Sequence, residues 1–287
     1  MLTATDLHIR DAGPGDAEAC GRIFYDAFAA IAHRHAFPVE PDSPEFTAFH
    51  ANLMLSLDGI VCVVAERDGT VVGSGFADVR GSIAGIGPVS VDPADQDTGT
   101  GRRLMEALLE RMRGAAGVRL VQTAYHARSL ALYAKLGFVV REPLSVLQGA
   151  AVQRSMPGLG VRPARPDDVP ACDALCRRVH GHDRRGELRG AIAAGTARVV
   201  ERPDRISGYA TGFGYGWHAV AEGNEDLQAL IASAEAFVSL GVLVPSRNAT
   251  LLTWCLDNGL RLVQQSTLMT AGLYNEPQGT WLPSIVY

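Results

Sequence analysis

The sequence predicts an α/β (α+β) protein built as two related domains, each a mixed, mostly antiparallel sheet flanked by helices. Three observations predict it. First, 287 residues are long for one compact domain and comfortable for two. Second, three blocks recur in the same order along the chain. "IRDAGPGDAEAC" (Ile9–Cys20) aligns with "VRPARPDDVPAC" (Val161–Cys172), "VVAERDGTVVGSG" (Val63–Gly75) with "RVVERPDRISGYA" (Arg198–Ala210), and "HARSLALYAKLGF" (His126–Phe138) with "NATLLTWCLDNGL" (Asn248–Leu260). Third, apolar spacing in the first copy switches between strand and helix periods in the order β-α-α-β-β-β-α-β-α-β. That order folds into a mixed sheet with helices on both faces.

The elements follow in turn. Leu7–Asp11 reads as a short strand, and Pro14 to about Ala32 as a helix with proline in its first turn. Pro44–Leu57 is a second helix. Val61–Glu66 and Thr70–Val79 form a hairpin around Asp68-Gly69. Ser82–Val91 is a strand, followed by a glycine turn and a helix from Gly101 to about Arg113 with Leu104, Leu108 and Met112 on one face. Val118–Tyr125 is a strand, Arg128–Leu136 a helix closed by Gly137, and Phe138–Leu147 a last strand. "QGAAVQRSMPGLG" has no apolar period and carries Pro and Gly, so the expected division is a domain at 1–148, a linker at 149–159 and a second domain at 160–287. The tail "WLPSIVY" reads as a final strand.

Composition narrows the function. A net charge of -5 argues against a nucleic-acid binder, whose footprint is basic. No apolar run reaches a membrane span, and the first residues lack the basic region and apolar core of a signal peptide, so the cytoplasm is expected. The five cysteines are odd in number and sit inside apolar patterns, which points to buried free thiols. No Cys/His set has zinc spacing, so no metal is expected.

The chemistry concentrates in "VSVDPADQDTGTGRR" (Val89–Arg103). A glycine-rich strand-to-helix turn is either plain punctuation or a phosphate cradle. Gly99 and Gly101 allow backbone amides to turn inward and a ligand to approach closely. The helix starts at once, so its unpaired amides and positive dipole end face the same spot. Arg102 and Arg103 occupy the first turn, where cations oppose the dipole unless an anion binds there. A Walker loop fails for want of a lysine after Gly101. A dinucleotide fingerprint fails because Leu104 stands where Gly or Ala is required.

Val89-Ser90-Val91-Asp92-Pro93, then Gln96-x-x-Gly99-x-Gly101, then "ARSLALYAKLGF" resembles the GNAT superfamily of acyl-CoA N-acyltransferases. The resemblance covers about Leu7–Gln148 and is only architectural beyond. It implies that acetyl-CoA is the cosubstrate and that the segment Gln96, Asp97, Thr98, Gly99, Thr100, Gly101, Arg102 and Arg103 seats its pyrophosphate. It also implies that the backbone of Val89, Ser90 and Val91 pairs with the pantetheine amides, with the Val89 amide as oxyanion donor. Tyr133 matches the family tyrosine that protonates the leaving sulfur, although Leu130, Tyr133 and Leu136 share the spacing of a core face. His126 and Ser129 fall near the pantetheine arm, and His126 departs from the asparagine the family often carries there.

A second departure is the base. Ser82–Val91 has no carboxylate, leaving a water chain, Asp78, His33, His35, Glu45 or the terminal carboxylate of Tyr287 to deprotonate the amine. The long loop with His33, His35 and Phe37 lies where this fold builds its acceptor pocket, and it reads equally well as a plain connection.

In copy two the turn reads "HAVAEGNEDLQAL". Glu222, Glu225 and Asp226 stand where phosphates would bind, Cys255 replaces the tyrosine, and Asn248 keeps the asparagine. Asn224 and the carboxylates suffice to cap this helix themselves. "GYATGFGYGWHAV" either lines a cleft or packs inside a sheet. The expectation is an N-acetyltransferase with one active site in the first domain, acting on a small amine or a peptide amine. The second copy is expected to be degenerate and to cover the acceptor side or form a homo-oligomer contact. The alternative is an acyl-CoA-binding regulatory module without turnover.

Overall fold

The computed structural model describes residues 7–41 and 43–285, so the Tyr287 carboxylate lies outside the described residues. The contacts divide the chain into two units, the first within Met1–Leu120 and Tyr125–Phe138, the second comprising Val121–Ala124 and Val139–Ile285.

The first unit begins with β1 (His8–Asp11), a 3-10 turn at Pro14–Asp16, and helices α1 (Ala17–Arg34) and α2 (Pro44–Ser56). Strands β2 (Ile60–Arg67), β3 (Thr70–Asp78) and β4 (Ile83–Val91) follow, then a 3-10 turn at Pro93–Asp95, α3 (Thr100–Arg111), β5 (Gly117–Thr123) and α4 (Ala127–Lys135). Its sheet runs β1-β2-β3-β4-β5, antiparallel except for the parallel β4–β5 pair. Val63, Val64 and Ala65 of β2 are wholly buried, as a central strand covered on both faces requires. Asp68 and Gly69 both have positive φ (50° and 74°), the conformation that suits a two-residue hairpin. Leu104, Leu108 and Met112 are buried, as their spacing predicts.

The second unit holds β6 (Val139–Gln148), β7 (Gly160–Pro163), a 3-10 turn at Pro166–Asp168, α5 (Val169–His180) and α6 (Arg185–Ala193). It continues through β8 (Arg198–Arg202), β9 (Arg205–Ala210), β10 (Ala219–Ala221), α7 (Asn224–Ala232), β11 (Val242–Pro245), α8 (Ala249–Asp257), β12 (Arg261–Gly272) and β13 (Thr280–Leu282). One antiparallel sheet runs β13-β10-β9-β8-β7. In the other group β6 lies between β12 and β11, antiparallel to both. This places β6 in the second unit, so the boundary falls ten residues before the one that sequence continuity suggested at 148. Periodicity identifies β6 as a strand, but its partners lie about a hundred residues away, and strand pairing outweighs chain proximity. Among the described residues the expected strand at the tail spans Thr280–Leu282, after which Ile285 donates its amide to the Tyr215 carbonyl; residues 286 and 287 lie outside the described residues.

One ion cluster recurs in each unit. Arg10 donates to both oxygens of Asp16 at 2.8 and 2.9 Å and to Glu66 at 2.9 Å. Arg162 donates likewise to Asp168 at 2.7 and 2.8 Å and to Glu201 at 3.0 Å. In both, the aspartate also accepts a backbone amide three residues back, from Gly13 and from Arg165. The arginine hydrogen bond lowers each aspartate pKa against the opposing effect of burial.

The segment "GYATGFGYGWHAV" is interior. Tyr209 and His218 are each 1% exposed, and Trp217 packs so closely on Gly212 that a Cβ there would meet it at 2.7 Å. His218 Nδ1 lies 3.1 Å from Glu187, which also accepts two 2.7 Å bonds from Arg184. The other ring nitrogen of His218 lies 3.1 Å from the Tyr209 hydroxyl. Burial, reinforced by Arg184, lowers the His218 pKa to about 4. A histidine buried neutral contributes stability above its unfolded pKa of about 6.5, and that stability is lost as pH falls towards 4. Thermal melts should therefore show stability falling by on the order of 3 kcal/mol between pH 6.5 and 4. The slope should be shallower by about that amount in His218→Gln, with His126 still contributing its own share, and an unchanged slope there would refute the assignment.

Candidate active site

The parallel β4–β5 ladder pairs only Ile83–Ile86 with Gly117–Leu120. Beyond Ile86 the β3–β4 register slips, because β4 carries one more residue than β3 between Gly75–Val89 and Ala77–Ile86, a bulge at Gly87-Pro88. The Asp92 amide donates to the Val72 carbonyl. By antiparallel alternation Ser90 also faces β3, so Val89 and Val91 turn their amides to the other side, past the end of the β5 pairing. The Ser90 hydroxyl is buried without a partner among the described residues, on a side chain cross-strand from buried Ser74. The Ser90 backbone is therefore taken up by β3, and Val89 and Val91 are the residues of this strand that turn their amides to the other side.

The turn after β4 is held by its own side chains. Gln96 Nε2 bonds back to the Val91 carbonyl at 3.2 Å. Asp95 is 8% exposed and takes hydrogen bonds from the hydroxyls of Thr98 and Thr100 and from Arg67. The hydroxyls of Thr98 and Thr100 are thus engaged from within the turn. Asp97 and Gly99 adopt left-handed φ values of 68° and 92°, and Gly99 is the N-cap of α3. Arg103 is the first residue of the helix to find an intrahelical carbonyl, that of Gly99. The preceding amides have no carbonyl four residues back and share the positive end of the helix. Arg102 and Arg103 are exposed, with Arg102 3.3 Å from Glu106.

Helix α4 meets this turn. A Cβ on Gly101 would lie 3.6 Å from Val91 Cγ2 and 3.8 Å from Leu132 Cδ2, so β4, α3 and α4 converge there. Arg128 pairs with Asp97 at 2.9 Å. Tyr133, one residue beyond Leu132, is partly buried and lies 6.1 Å from the Phe138 ring; burial pushes its phenol up to about 12. The Ser129 hydroxyl bonds the His126 carbonyl at 2.8 Å, inside its own helix turn. Burial, then the charge of Arg128, lowers the His126 pKa to about 4, so its imidazole is neutral at physiological pH.

In the loop after α1, Phe37 stacks on Tyr125 at 4.2 Å, and His35, the residue after the helix, lies 5.3 Å from the same ring. Sequence continuity puts His126 next to this aromatic group. His33 and Glu45 are exposed and join no such cluster. Asp78 lies opposite Gly85 and is tied to Arg80 by backbone and guanidinium bonds, which removes it as a ready base. Residue-type reasoning passed over Asp95, Arg67, Tyr125 and Arg128. The pair of threonines flanking Gly99, with an aspartate upstream, was the legible signal for the first.

The corresponding turn in the second unit is closed by its own charges. Asp226, 1% exposed in the first turn of α7, accepts from Arg202 at 2.9 Å and Ser207 at 2.6 Å. Asn248 caps α8 through the Leu251 amide and exchanges bonds with Asn224 at 2.8 and 3.2 Å. Cys255 is fully buried, and burial raises its pKa to about 12. Among the described residues no His/Cys/Asp/Glu group is disposed to hold a metal, and no helix is long and apolar enough to cross a membrane.

Residues 58–140 match the family model of the acetyltransferase (GNAT) domain. No curated protein matches the sequence. Among solved structures, a candidate acetyltransferase from Pyrococcus horikoshii is 22% identical with a TM-score of 0.71, covering 100% of this chain and 95% of that one. A GCN5-related N-acetyltransferase from Sphaerobacter thermophilus is 16% identical with a TM-score of 0.60, covering 96% and 98%. Residues 58–140 are therefore similar to the acetyltransferase (GNAT) domain, and the chain has the fold of these acetyltransferases along its length.

Proposed function

We propose that this protein is an acetyl-CoA-dependent N-acetyltransferase with a single active site in its first unit, acting on a small amine or a peptide amine. The observation that carries the reading is the convergence at Gly101 of the Val91 end of β4, the open amide end of α3 and the tyrosine-bearing helix α4. The amides of Asp97–Arg102 seat the pyrophosphate, and the Val89–Val91 backbone pairs with the pantetheine arm. Arg102, Arg103 and, on exchange of its Asp97 partner, Arg128 supply cationic charge nearby.

The amine attacks the thioester carbonyl, forming the C–N bond, while the Val89 amide bonds the developing oxyanion. Collapse breaks the C–S bond, and Tyr133 delivers its proton to the departing thiolate. The amine proton leaves through water, with neutral His126 beside the path, since Asp78 is engaged by Arg80. The second unit is read as a degenerate copy. Its repeated element order and its Arg162–Asp168–Glu201 cluster support duplication, and Asp226 at the start of α7 supports the loss of anion binding. It serves as a structural partner or as a homo-oligomer contact.

A panel of amines scored for free thiol release tests the reading. Turnover should rise with pH only until the acceptor amine is itself deprotonated. Neither His126 at about 4 nor Tyr133 at about 12 titrates between about pH 5 and 11, so no falling limb is expected there. The engagement of Asp78 favours a second reading, an acyl-CoA-binding regulatory module without turnover. Tight binding of acetyl-CoA with no thiol release from any amine would decide for it.

A further inference from the structure

We propose that Asp95, braced by Arg67, is the positioning residue of the phosphate seat: by tying together the hydroxyls of Thr98 and Thr100 it holds the turn Asp97–Arg102 open before any ligand arrives. The proposal rests on the reading of that turn as the pyrophosphate site. Asp95 lies on the 3-10 turn just before it, not in the turn itself. One carboxylate oxygen takes both hydroxyls, that of Thr98 at 3.2 Å, and the other takes Arg67 Nε at 2.9 Å. Thr98 Oγ1 also bonds the Asp95 carbonyl at 2.7 Å and lies 2.9 Å from Thr100 Oγ1. The clasp thus spans Asp95 to Thr100 and encloses both left-handed residues, Asp97 and Gly99.

Gly99 adopts its left-handed φ freely, but Asp97 does so at a steric cost that its surroundings must offset. The clasp supplies the constraint from the buried side of the turn, where Asp95 and Thr100 are 8% and 1% exposed. A carboxylate under an anion site would be self-defeating if its charge were bare. Here burial works to raise the Asp95 pKa, but hydrogen bonds from Thr100 and Arg67 outweigh it, and the arginine balances the charge.

The second unit shows the same partnership in a different place. Arg202, the last residue of β8 as Arg67 is of β2, also holds a buried aspartate. That aspartate, Asp226, lies inside the first turn of α7, and its Oδ2 would lie 3.6 Å from a Cβ on the N-cap Gly223. There the arginine's carboxylate lies within the first turn of the helix; in the first unit it lies on the 3-10 turn that precedes the helix.

The experiment uses the full chain with Asp95→Asn, Thr100→Val and Thr100→Ser. It compares acetyl-CoA with S-acetylpantetheine, which lacks the pyrophosphate, and follows hydrogen exchange at the amides of 97–102 without ligand. Asp95→Asn and Thr100→Val should raise Kd and KM for acetyl-CoA by about ten-fold, the scale of one lost hydrogen bond to a charged group. KM for S-acetylpantetheine should move by less than about two-fold, because only the pyrophosphate contacts are disturbed. Thr100→Ser, which restores the hydroxyl, should recover most of the affinity lost in Thr100→Val. The 97–102 amides should exchange faster in Asp95→Asn and Thr100→Val. Equal losses with both thioesters, identical behaviour of Thr100→Val and Thr100→Ser, or unaltered exchange would overturn the proposal. Should Asp95→Asn not fold, the two Thr100 variants decide alone. Should the wild-type chain fail to bind coenzyme A, the proposed function falls, and the exchange comparison still decides the clasp.

Discussion

Replacing Gly99 and Gly101 together by aspartate should abolish coenzyme A binding, weakening it at least about 100-fold, or about 3 kcal/mol. Two effects add. Gly99 has φ of 92°, where a side chain costs roughly 1–2 kcal/mol, although aspartate is among the residues that tolerate it best. The larger effect is charge: at about 5 Å and an effective dielectric near 20, each carboxylate opposes a phosphate by about 3 kcal/mol. Sterics contribute little, since a Cβ at Gly99 meets nothing within 4 Å and one at Gly101 makes only ordinary contacts at 3.6 and 3.8 Å. Gly101→Ala is therefore the control, and it should bind within several-fold of wild type. In the second unit the first turn of α7 carries carboxylates of its own, Glu225 and Asp226. Calorimetry decides, and unweakened binding in the double variant would remove the phosphate seat and the proposed function with it.

Tyr133→Phe should lower kcat by about 100-fold while leaving the Kd for acetyl-CoA nearly unchanged, the lower end of what a general acid contributes. The phenol pKa pushed up to about 12 by burial keeps the proton in place at every working pH. The competing role is packing, since the ring lies 6.1 Å from Phe138 and the residue shares a helical face with Leu130 and Leu136. A thioester with a more acidic leaving thiol separates the two. A general acid matters less when the thiolate leaves readily, so the loss should shrink with that substrate. A loss of equal size for both thioesters, accompanied by a lower melting temperature, would assign Tyr133 to packing.

Much of the first unit was legible because its signals are local. The Asp68-Gly69 hairpin, the Leu104–Leu108–Met112 face and the glycine turn depend on residues within a few positions of one another. Apolar period and positive-φ glycines report such features directly. The functional reading of Thr98 and Thr100 was less complete. Side chains assigned by type to a ligand are engaged by Asp95, and which hydroxyl serves the ligand and which serves the protein depends on a carboxylate's place in space. Asp78 was misleading for a similar reason: as a residue type it is a base, and beside Arg80 it is half of an ion pair.

By itself the sequence determined the element order of the first unit, the turn that opens α3, the helix bearing Tyr133 and the acidic residues at the start of α7. These follow from spacing along the chain, where φ/ψ preference and period act over a turn or two. Tertiary structure alone decided that β6 pairs with β12 and β11, that β4 and β5 part company after Ile86, and that Asp95 and Arg67 brace the turn from below. Those facts join residues from 28 to more than a hundred positions apart, and no local preference encodes which distant partner a strand or a carboxylate will find.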